Sequence, residues 1–306
     1  MNAIEVEDLT KRFGNFTAVD HIDFDVKSGE LFGFLGPNGA GKTTTVRIIT
    51  GVIKPDGGRA SIMGYDVERE TVKAKQMVGV LPETSNAYVD LSAWQNLMLM
   101  AKLYGLEKKE RQSRAEDLLK MFGLYEKRMG AVKGFSKGMK QRLQICMALI
   151  SEPKVLILDE PTSGLDVQSS RLIRSIIADL NAHGATFLLT THNMEEANQL
   201  CSRIAIINQG KIAAMDRPEV LKKHIESLHS VEVSFSRDVP QNDLSGLAGV
   251  DSVERMGDKF KLYAREPAGV IYNVVDYARS EKIEIVSLAT ISPTLEDVFV
   301  KYTEAT

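Results

Sequence analysis

The sequence predicts an α/β domain in residues 1–220 and a smaller α+β domain in residues 221–306. Two observations predict this arrangement. Apolar runs at 31–35, 155–158 and 186–190 do not alternate with polar residues, which is typical of strands covered on both faces. Near residue 220 the pattern changes to segments that alternate apolar and polar side chains, as strands with one solvated face do.

Further elements of the first domain follow from alternation, helical periodicity and capping residues. Strands in addition to the three apolar runs are expected at 4–9, 19–26, 60–64 and 77–81, with a closing hairpin of 204–208 and 210–214. Helices are expected at 42–50, 92–104, 108–121 and 135–150. Ser136 is placed to cap the last of these, and Asp166 to cap a further helix that ends at His183 and Gly184.

The second domain is predicted to contain four strands and a terminal helix. The strands lie at 231–236, 251–256, 259–264 and 283–288, with helices at 269–280 and 293–302. If residues 241–247 also form a short helix, the order is βαββαβ, which is that of a small ferredoxin-like unit.

A glycine-rich segment follows the first apolar run and fits the pattern G-x-x-x-x-G-K-[ST] at each fixed position. Glycine lets the backbone approach a phosphate, and the next helix directs free N–H groups and its positive dipole end at the anion. We expect Lys42 to reach the β- and γ-phosphates of a nucleotide and the Thr43 hydroxyl to hold Mg²⁺. The residues expected to bind the nucleotide here are Gly36, Pro37, Asn38, Gly39, Ala40, Gly41, Lys42, Thr43 and Thr44.

Acidic and imidazole side chains follow the other two apolar runs. Because ligands of open α/β sheets lie outside the carboxyl ends of the strands, Asp159, Glu160 and His192 are expected to meet the phosphate loop at one edge. Asp159 suits a position near Mg²⁺, and Glu160 is placed to polarise a water for attack on the γ-phosphate. Taken alone, His192 fits a packed histidine at the start of a helix better than a catalytic one. Phe13 either stacks on a nucleobase or packs in the core.

Composition restricts the class of protein. A formal net charge of −3 shows no basic footprint, so no nucleic-acid partner is expected. The first residues show no secretory signal pattern, and no apolar run approaches the roughly eighteen residues that span a bilayer. We therefore expect a protein that is soluble by itself, with any membrane spans carried by another chain. Cys146 and Cys201 are expected to be buried thiols in a reducing cytosol.

Residues 1 to about 220 resemble the nucleotide-binding subunit of an ABC transporter. Residues 136–142 (SKGMKQR) resemble the family signature that begins LSGGQ, residues 163–166 (SGLD) its D-loop, and Thr191 with His192 its switch histidine. The resemblance implies a P-loop NTPase fold of the ABC type, with a mixed sheet core, an antiparallel β part and a helical subdomain. It also implies an ATPase that dimerises head to tail around two ATP molecules, with a second copy or a paralogue as partner.

The resemblance also assigns roles outside the phosphate loop. Phe13 would stack on adenine, and Ser136 and Gly138 would reach the γ-phosphate bound by the other subunit. The signature has Lys137 and Met139 where the family commonly has Gly and Gln, whereas its Ser and second Gly are kept.

The metal ligands and catalytic residues follow from the same comparison. Glu83 stands where a glutamine usually follows the proline of the family's Q-loop, and a carboxylate there can still bind Mg²⁺ or water. The expected metal ligands are therefore Thr43, Glu83 and Asp159. The expected catalytic residues are Glu160, His192 and Lys42.

The C-terminal segment 293–299 (PTLEDVF) resembles the tail of ATP-binding subunits from ABC-2-type exporters. The whole resemblance implies an ATPase that uses ATP and Mg²⁺ to drive export through separate integral membrane permease subunits. Such a subunit is cytoplasmic and peripheral, held on the inner face of the cell membrane by the permease. The resemblance does not choose among drugs, peptides, lipids, polysaccharides and ions as the exported substrate.

Three other classes of protein share parts of this pattern. A cytosolic ABC-type ATPase acting on DNA, ribosomes or assembly factors is disfavoured because the sequence has no long coiled-coil insertion, second nucleotide domain or basic charge. A nucleotide-gated binding module without turnover is disfavoured by Glu160, whose carboxylate hydrolysis would need. A P-loop kinase leaves the signature unexplained.

Overall fold

The computed structural model describes residues 1–84, 86–223 and 230–304. It divides the chain into two compact units, Met1–Arg217 and Pro218–Thr306. Each unit has its own hydrophobic core.

The first unit combines two sheets with helices. Its strands are β1 (Asn2–Phe13), β2 (Phe16–Lys27), β3 (Leu31–Leu35), β4 (Gly57–Ile62), β5 (Tyr65–Asp66), β6 (Val78–Leu81), β7 (Val155–Asp159), β8 (Thr186–Thr191), β9 (Arg203–Asn208) and β10 (Lys211–Asp216). Its helices are α1 (Lys42–Ile49), α2 (Thr71–Gln76), α3 (Ala93–Leu103), α4 (Lys108–Met121), α5 (Lys137–Leu149), α6 (Val167–Ala182) and α7 (Met194–Leu200). Short 3₁₀ turns lie at Tyr125–Lys127 and Val132–Gly134.

The central sheet has the strand order β10-β9-β3-β8-β7-β6. Strands β9, β3, β8, β7 and β6 run parallel, and β10 pairs antiparallel with β9. Every residue of β3, β7 and β8 is buried, which confirms the prediction that the three apolar runs are covered on both faces. Because these strands are parallel, the segments that follow them leave the sheet at the same edge.

An antiparallel sheet in the order β2-β1-β4-β5 forms the second layer of strands. β1 and β2 are longer than predicted because their charged and aromatic ends continue the backbone pairing beyond the buried, alternating middle. The hairpin turn of Gly14 and Asn15 places Phe13 directly opposite Phe16. The structure therefore confirms the mixed sheet core with an antiparallel part.

Helices α3, α4 and α5 pack on one another and form the helical subdomain. The Ser136 hydroxyl accepts a hydrogen bond from the Met139 N–H at 3.3 Å and begins α5, which confirms the predicted cap. Asp166 does the same for α6, accepting from the Ser169 N–H at 2.8 Å. Within the described residues, no helix is both long enough and apolar enough to cross a membrane.

Both cysteines are free and buried, as expected. Burial raises the pKa of the Cys146 and Cys201 thiols far above the ordinary value. These thiols are therefore protonated and unreactive at neutral pH.

The second unit contains α8 (Pro218–Lys223), β11 (Ser230–Phe235), α9 (Gln241–Ser245), β12 (Ser252–Met256), β13 (Lys259–Tyr263), α10 (Pro267–Ser280), β14 (Ile285–Ile291) and α11 (Leu295–Glu304). Its antiparallel sheet has the order β12-β13-β11-β14. From β11 to β14 the element order is βαββαβ, so the predicted ferredoxin-like arrangement is confirmed together with the short helix on which it depended. Val231, Val233 and Leu262 of the sheet belong to one core with Val270 and Val274 of α10.

The sequence did not predict β5, α2, α7 or α8. These elements contain two to seven residues. Such short segments do not complete enough turns or alternations for a hydrophobic period to be detected.

Candidate active site

A cavity of about 410 Å³ lies at the carboxyl edge of the central sheet. It is lined by Phe13, Phe16, Ala18, Pro37, Asn38, Gly39, Gly41, Lys42, Thr43, Thr44, Glu83, Asp159 and Glu160. The structure thus brings the predicted aromatic residue, the phosphate loop and three predicted acidic residues to one place. Gly36 and Ala40 are buried within the loop and do not line the cavity.

Two glycines of the phosphate loop fit only because they lack a side chain. A Cβ atom at Gly36 would collide with the carbonyl oxygen of Ile207 on β9, and one at Gly41 with that of Ala18 on β2. Gly41 also has a φ of +112°, a backbone conformation that other residues rarely adopt. The loop is therefore held between two strands, with its backbone pressed close to both, and this is the shape that a backbone cradle for phosphate requires.

Lys42 begins α1 and is almost completely buried. Its ammonium donates hydrogen bonds to the carbonyl oxygens of Gly36 at 2.6 Å and Pro37 at 3.2 Å. Burial lowers the pKa of Lys42, whereas the nearby carboxylates of Glu160, Asp159 and Glu83 act in the opposite direction. A phosphate group in the cavity would supply the opposite charge that this buried cation lacks at close range.

Asp159 ends β7 and is also almost completely buried. The hydroxyl of Thr190 on β8 donates a short hydrogen bond to its Oδ1 atom. Burial is the main cause that raises the pKa of Asp159, and Glu83 and Glu160 raise it further. A bound cation would therefore stabilise the ionised carboxylate at this position.

The oxygen atoms of Thr43, Glu83 and Asp159 line the same cavity and suit Mg²⁺, which prefers oxygen ligands. Within the described part of the chain, no group of three or more His, Cys, Asp or Glu side chains could hold a metal ion. Mg²⁺ sites in nucleotide enzymes commonly use one or two carboxylates and complete the shell with phosphate oxygens and water. The donors present at this edge fit that arrangement.

Glu160 lies just beyond β7 with a φ of +53°, which is unfavourable for a residue with a side chain. Its backbone N–H donates to the Thr190 carbonyl oxygen at 3.1 Å. Its Oε2 atom lies 2.8 Å from Nδ1 of His192, and the Glu160 side chain is 13% exposed whereas that of His192 is 59% exposed. The histidine is therefore not packed in the core but is held at the surface against the predicted catalytic carboxylate.

His192 does not line the cavity that contains the phosphate loop. It lines a neighbouring cavity of about 710 Å³ together with Glu160 and with Ser163, Gly164 and Leu165 of the predicted D-loop. Glu160 is thus common to both cavities.

The signature residues Ser136 and Gly138 lie outside both cavities, at the start of α5. A Cβ atom at Gly138 would collide with the side chain of Ser169 on α6, and one at Gly164 with the Lys137 ammonium. Within one chain the signature therefore contacts the D-loop and the first turn of α6, not the phosphate loop.

Sequence reasoning missed Phe16, Ala18 and Thr190. The two-residue turn of Gly14 and Asn15 was the available signal for Phe16, because such a hairpin places the flanking residues opposite each other. Thr190 gave no signal, since its bond to Asp159 depends on the pairing of β7 with β8.

Different protein-family models match the two units of the chain. The model for the ABC transporter family matches residues 19–163, and the model for the C-terminal domain of DrrA1-3-like ATP-binding proteins matches residues 217–303. A model described as an AAA domain, putative AbiEii toxin, overlaps the first unit at residues 129–198.

Two curated relatives are similar over almost the whole chain. The linearmycin resistance ATP-binding protein LnrL of Bacillus subtilis is 36% identical over 307 residues, which cover 99% of each chain. The Nod factor export ATP-binding protein I of Ralstonia nicotianae is 36% identical over 302 residues, which cover 98% of this chain and 93% of the relative.

Solved structures match the fold of the larger part of the chain. A structure of an ATP-binding subunit of an ABC transporter has a TM-score of 0.67 and 32% identity and covers 72% of this chain and 92% of that one. A dimeric post-hydrolysis state of an ATP-binding cassette with ADP and phosphate has a TM-score of 0.64 and 26% identity, over 70% of this chain and 98% of that one. The chain belongs to the ABC transporter family, as an ATP-binding and ATP-hydrolysing subunit of an exporter that carries a DrrA-like C-terminal domain.

Proposed function

We propose that two copies of this chain, or one copy and a paralogue, close around two molecules of Mg-ATP and drive export through separate permease subunits of the ABC-2 type. The observation that carries this proposal is the convergence of Lys42, Asp159 and the Glu160–His192 pair at the carboxyl edge of one parallel sheet. In this proposal the chain works in the cytoplasm, on the inner face of the membrane.

The ATP molecule would lie in the cavity of about 410 Å³. Phe13 and Phe16 are 53% and 61% exposed and face each other across the hairpin, so either ring can stack on the adenine. The loop N–H groups and Lys42 would bind the phosphates, and Lys42 would exchange its two bonds to loop carbonyls for bonds to the β- and γ-phosphates.

Thr43, Asp159 and Glu83 would hold Mg²⁺ between the loop and β7. When bound, the ion neutralises charge on the phosphate oxygens and orients them for attack. The buried position of Asp159 would make its carboxylate a strong ligand, because few water molecules compete for it there.

Glu160 would orient and polarise the water that attacks the γ-phosphate. The strained backbone at Glu160 is fixed by its N–H bond to Thr190, so the direction of the carboxylate is set before the substrate binds. His192 would hold the carboxylate through their 2.8 Å contact and would contribute positive charge near the phosphate when protonated.

Each chain has one phosphate loop and one signature, so a complete site needs a partner. Ser136 and Gly138 would bind the γ-phosphate held by the other subunit, where the start of α5 offers free N–H groups to the anion. The solved relative with ADP and phosphate is a dimer, which supports this arrangement.

The permease would dock on an apolar groove of about 560 Å³ in the first unit. Val52, Val72 and Leu103 line this groove and are 67%, 72% and 71% exposed, which is unusual for side chains of this kind. The names of the relatives contain the words export and resistance, which supports outward transport.

The docking groove can be tested by substitution. Val72→Glu and Leu103→Glu would remove co-purification with the permease while leaving nucleotide binding unchanged.

We further propose that the two compact units act as separate domains, a nucleotide-binding domain in residues 1–220 and an accessory domain in residues 221–306. The separate match of residues 217–303 to a C-terminal domain family supports this division.

The test of the proposed function is size-exclusion chromatography with and without Mg-ATP, combined with phosphate release, on the wild type and on Glu160→Gln. We expect Glu160→Gln to lower the hydrolysis rate at least about a hundredfold and to accumulate an ATP-dependent dimer. Normal phosphate release from Glu160→Gln would refute the role of Glu160. A chain that stays monomeric with Mg-ATP, both alone and with its permease, would refute the closed dimer.

A further inference from the structure

A second carboxyl group lies close to the hydrolysis site without a role in the reaction. Glu196 of α7 is only 1% exposed. Its Oε1 atom accepts a hydrogen bond from the Thr162 hydroxyl at 2.7 Å, and its Oε2 atom has no hydrogen-bond partner within the described residues. Burying a carboxyl group with so few partners costs free energy of folding. Stabilisation of the fold therefore does not explain why a glutamate occupies this position.

No cationic side chain among the described residues forms an ion pair with the Glu196 carboxyl group. Burial raises the pKa of Glu196, the Thr162 and Thr191 hydroxyls and the Arg174 guanidinium lower it, and the Glu160 carboxylate raises it. Arg174 of α6 is already engaged by Gln199 at 3.1 Å and does not form an ion pair of 4 Å or less with Glu196. The 2.7 Å hydrogen bond from Thr162 is the contact that joins this side chain to the segment after β7.

Three side-chain contacts join the end of β7 and the segment after it to the end of β8 and the segment after it. They are Thr190 to Asp159, His192 to Glu160 and Thr162 to Glu196, and we call them the cross-strand brace. The first two contacts involve proposed site residues. The third lies just beyond them, two residues after Glu160 and four after His192.

Both ends of the third contact are connected to the site by short-range hydrogen bonds. Thr162 lies in a turn closed by the Ser163 N–H, which donates to the Glu160 carbonyl oxygen at 3.2 Å. On the other side, the Asn193 side chain accepts from the Glu196 N–H at 3.0 Å, and the Asn193 N–H donates to the Thr191 hydroxyl at 3.0 Å. His192 lies in the turn closed by the second of these bonds, directly before α7, so a displacement of α7 would displace His192 as well.

We propose that Glu196 is a positioning residue of the hydrolysis site, which holds His192 against Glu160 by anchoring α7 to Thr162. The inference rests on the proposed roles of Glu160 and His192. The phosphate loop lines the other cavity that Glu160 borders, and none of its residues takes part in the cross-strand brace. Loss of Glu196 should therefore slow hydrolysis and leave ATP binding intact.

The experiment compares Glu196→Met, Glu196→Gln and Thr162→Val in the full chain, with Glu195→Gln as the matched control. Glu195 is the neighbouring glutamate; it is exposed, and among the described residues it pairs only with Gln199, at 2.9 Å. The measurements are kcat and KM for Mg-ATP, the affinity for a fluorescent ATP analogue, and amide hydrogen exchange of residues 191–197 without nucleotide.

We expect Glu196→Met and Thr162→Val each to lower kcat by about tenfold or more, with KM and analogue affinity within about twofold of the wild type. Glu196→Gln keeps an oxygen that accepts the Thr162 bond, so it should retain most of the activity. Residues 191–197 should exchange faster in Glu196→Met, and Glu195→Gln should change neither kcat nor exchange.

Three outcomes would overturn the inference. Unchanged kcat in both Glu196→Met and Thr162→Val, in a protein that His192→Ala inactivates, would refute the role of Glu196 and leave the proposed function standing. Equal losses of kcat and ATP affinity would show a general structural role instead. If His192→Ala had normal activity, the proposed role of His192 and the inference would both fall. If Glu196→Met does not fold, Thr162→Val tests the inference alone, because it removes the same hydrogen bond at Thr162, which is only half-buried.

Discussion

The carboxyl edge of the central sheet and the sheet of the C-terminal unit both carry charged side chains, but in different arrangements. In the C-terminal sheet, Lys259 of β13 pairs with Glu232 of the adjacent β11 at 2.6 Å. Arg255 of β12 pairs likewise with Asp238 at 2.7 Å, with both side chains largely exposed to solvent. At the carboxyl edge, by contrast, Lys42 and Asp159 are buried and have no ion-pair partner within 4.0 Å among the described residues.

The directions of the pKa shifts differ accordingly. The hydrogen bond to Glu232 raises the pKa of Lys259 and favours its charged form. Burial lowers the pKa of Lys42 and raises that of Asp159, so the charged form is disfavoured in both. Charges that are satisfied within the chain serve the fold, whereas buried charges that lack close partners indicate a site for a charged ligand. Three experiments can sharpen or break this distinction.

The largest effect is expected from removing the buried cation. Lys42→Ala should weaken ATP binding about ten- to a hundredfold, because hydrogen bonds to charged groups contribute about 1.5–3 kcal/mol. Lys54→Ala is the matched control, since the Lys54 side chain is 86% exposed and its nearest carboxylate oxygen, on Glu68, is as far as 4.0 Å away. Titration calorimetry with Mg-ATP measures both variants. Equal affinities in the two would show that the buried cation does not bind phosphate.

A smaller effect is expected from filling the space around the loop. An alanine Cβ at Gly41 would collide with the Ala18 carbonyl, whereas one at Gly39, with a φ of +80°, meets nothing within 4 Å. Gly39→Ala should therefore cost only about 1 kcal/mol of backbone strain. Gly41→Ala should lower the thermal unfolding midpoint further and weaken ATP binding as well. If both variants behaved alike, the close packing of the loop on β2 would not matter for binding.

The smallest effect is expected in the C-terminal unit. Lys259→Met removes the ion pair with Glu232, in which the lysine side chain is 43% exposed and the glutamate side chain 20%, and ion pairs near the surface contribute little to stability. We expect no resolvable change in the unfolding midpoint, the ATP affinity or the hydrolysis rate. A clear loss of hydrolysis in Lys259→Met would contradict the distinction between the two regions, because a charge already paired within the chain would then contribute to function.

Much of the fold could be predicted from local pattern. The strand Leu31–Leu35 and the helix Lys108–Met121 have the predicted bounds, and the βαββαβ order of the second unit follows from alternation and one short helix. These elements carry a hydrophobic period long enough to be recognised. The ends of β1 and β2 could not be predicted, because residues there pair through the backbone without burying apolar side chains.

The candidate site was predictable to a similar extent. Lys42, Asp159 and Glu160 could be assigned to one edge because they lie at or beyond the carboxyl ends of buried parallel strands. Thr190 and Glu196 could not be assigned, since Thr190 contacts a residue of another strand and Glu196 contacts a residue of the turn after β7. His192 could be placed near this edge, but its contact with Glu160 could be measured only in the structure.

The sequence by itself determined the family, the phosphate loop and the order of the longer elements, because these depend on residue types at short, regular spacing. Only the tertiary structure decided which side chains are buried together and which hydrogen bonds join them. The cross-strand brace is an example, since its partners lie 31 to 34 residues apart along the chain. Desolvation and hydrogen bonding act between atoms that are close in space, and the register of β7 against β8 brings those atoms together.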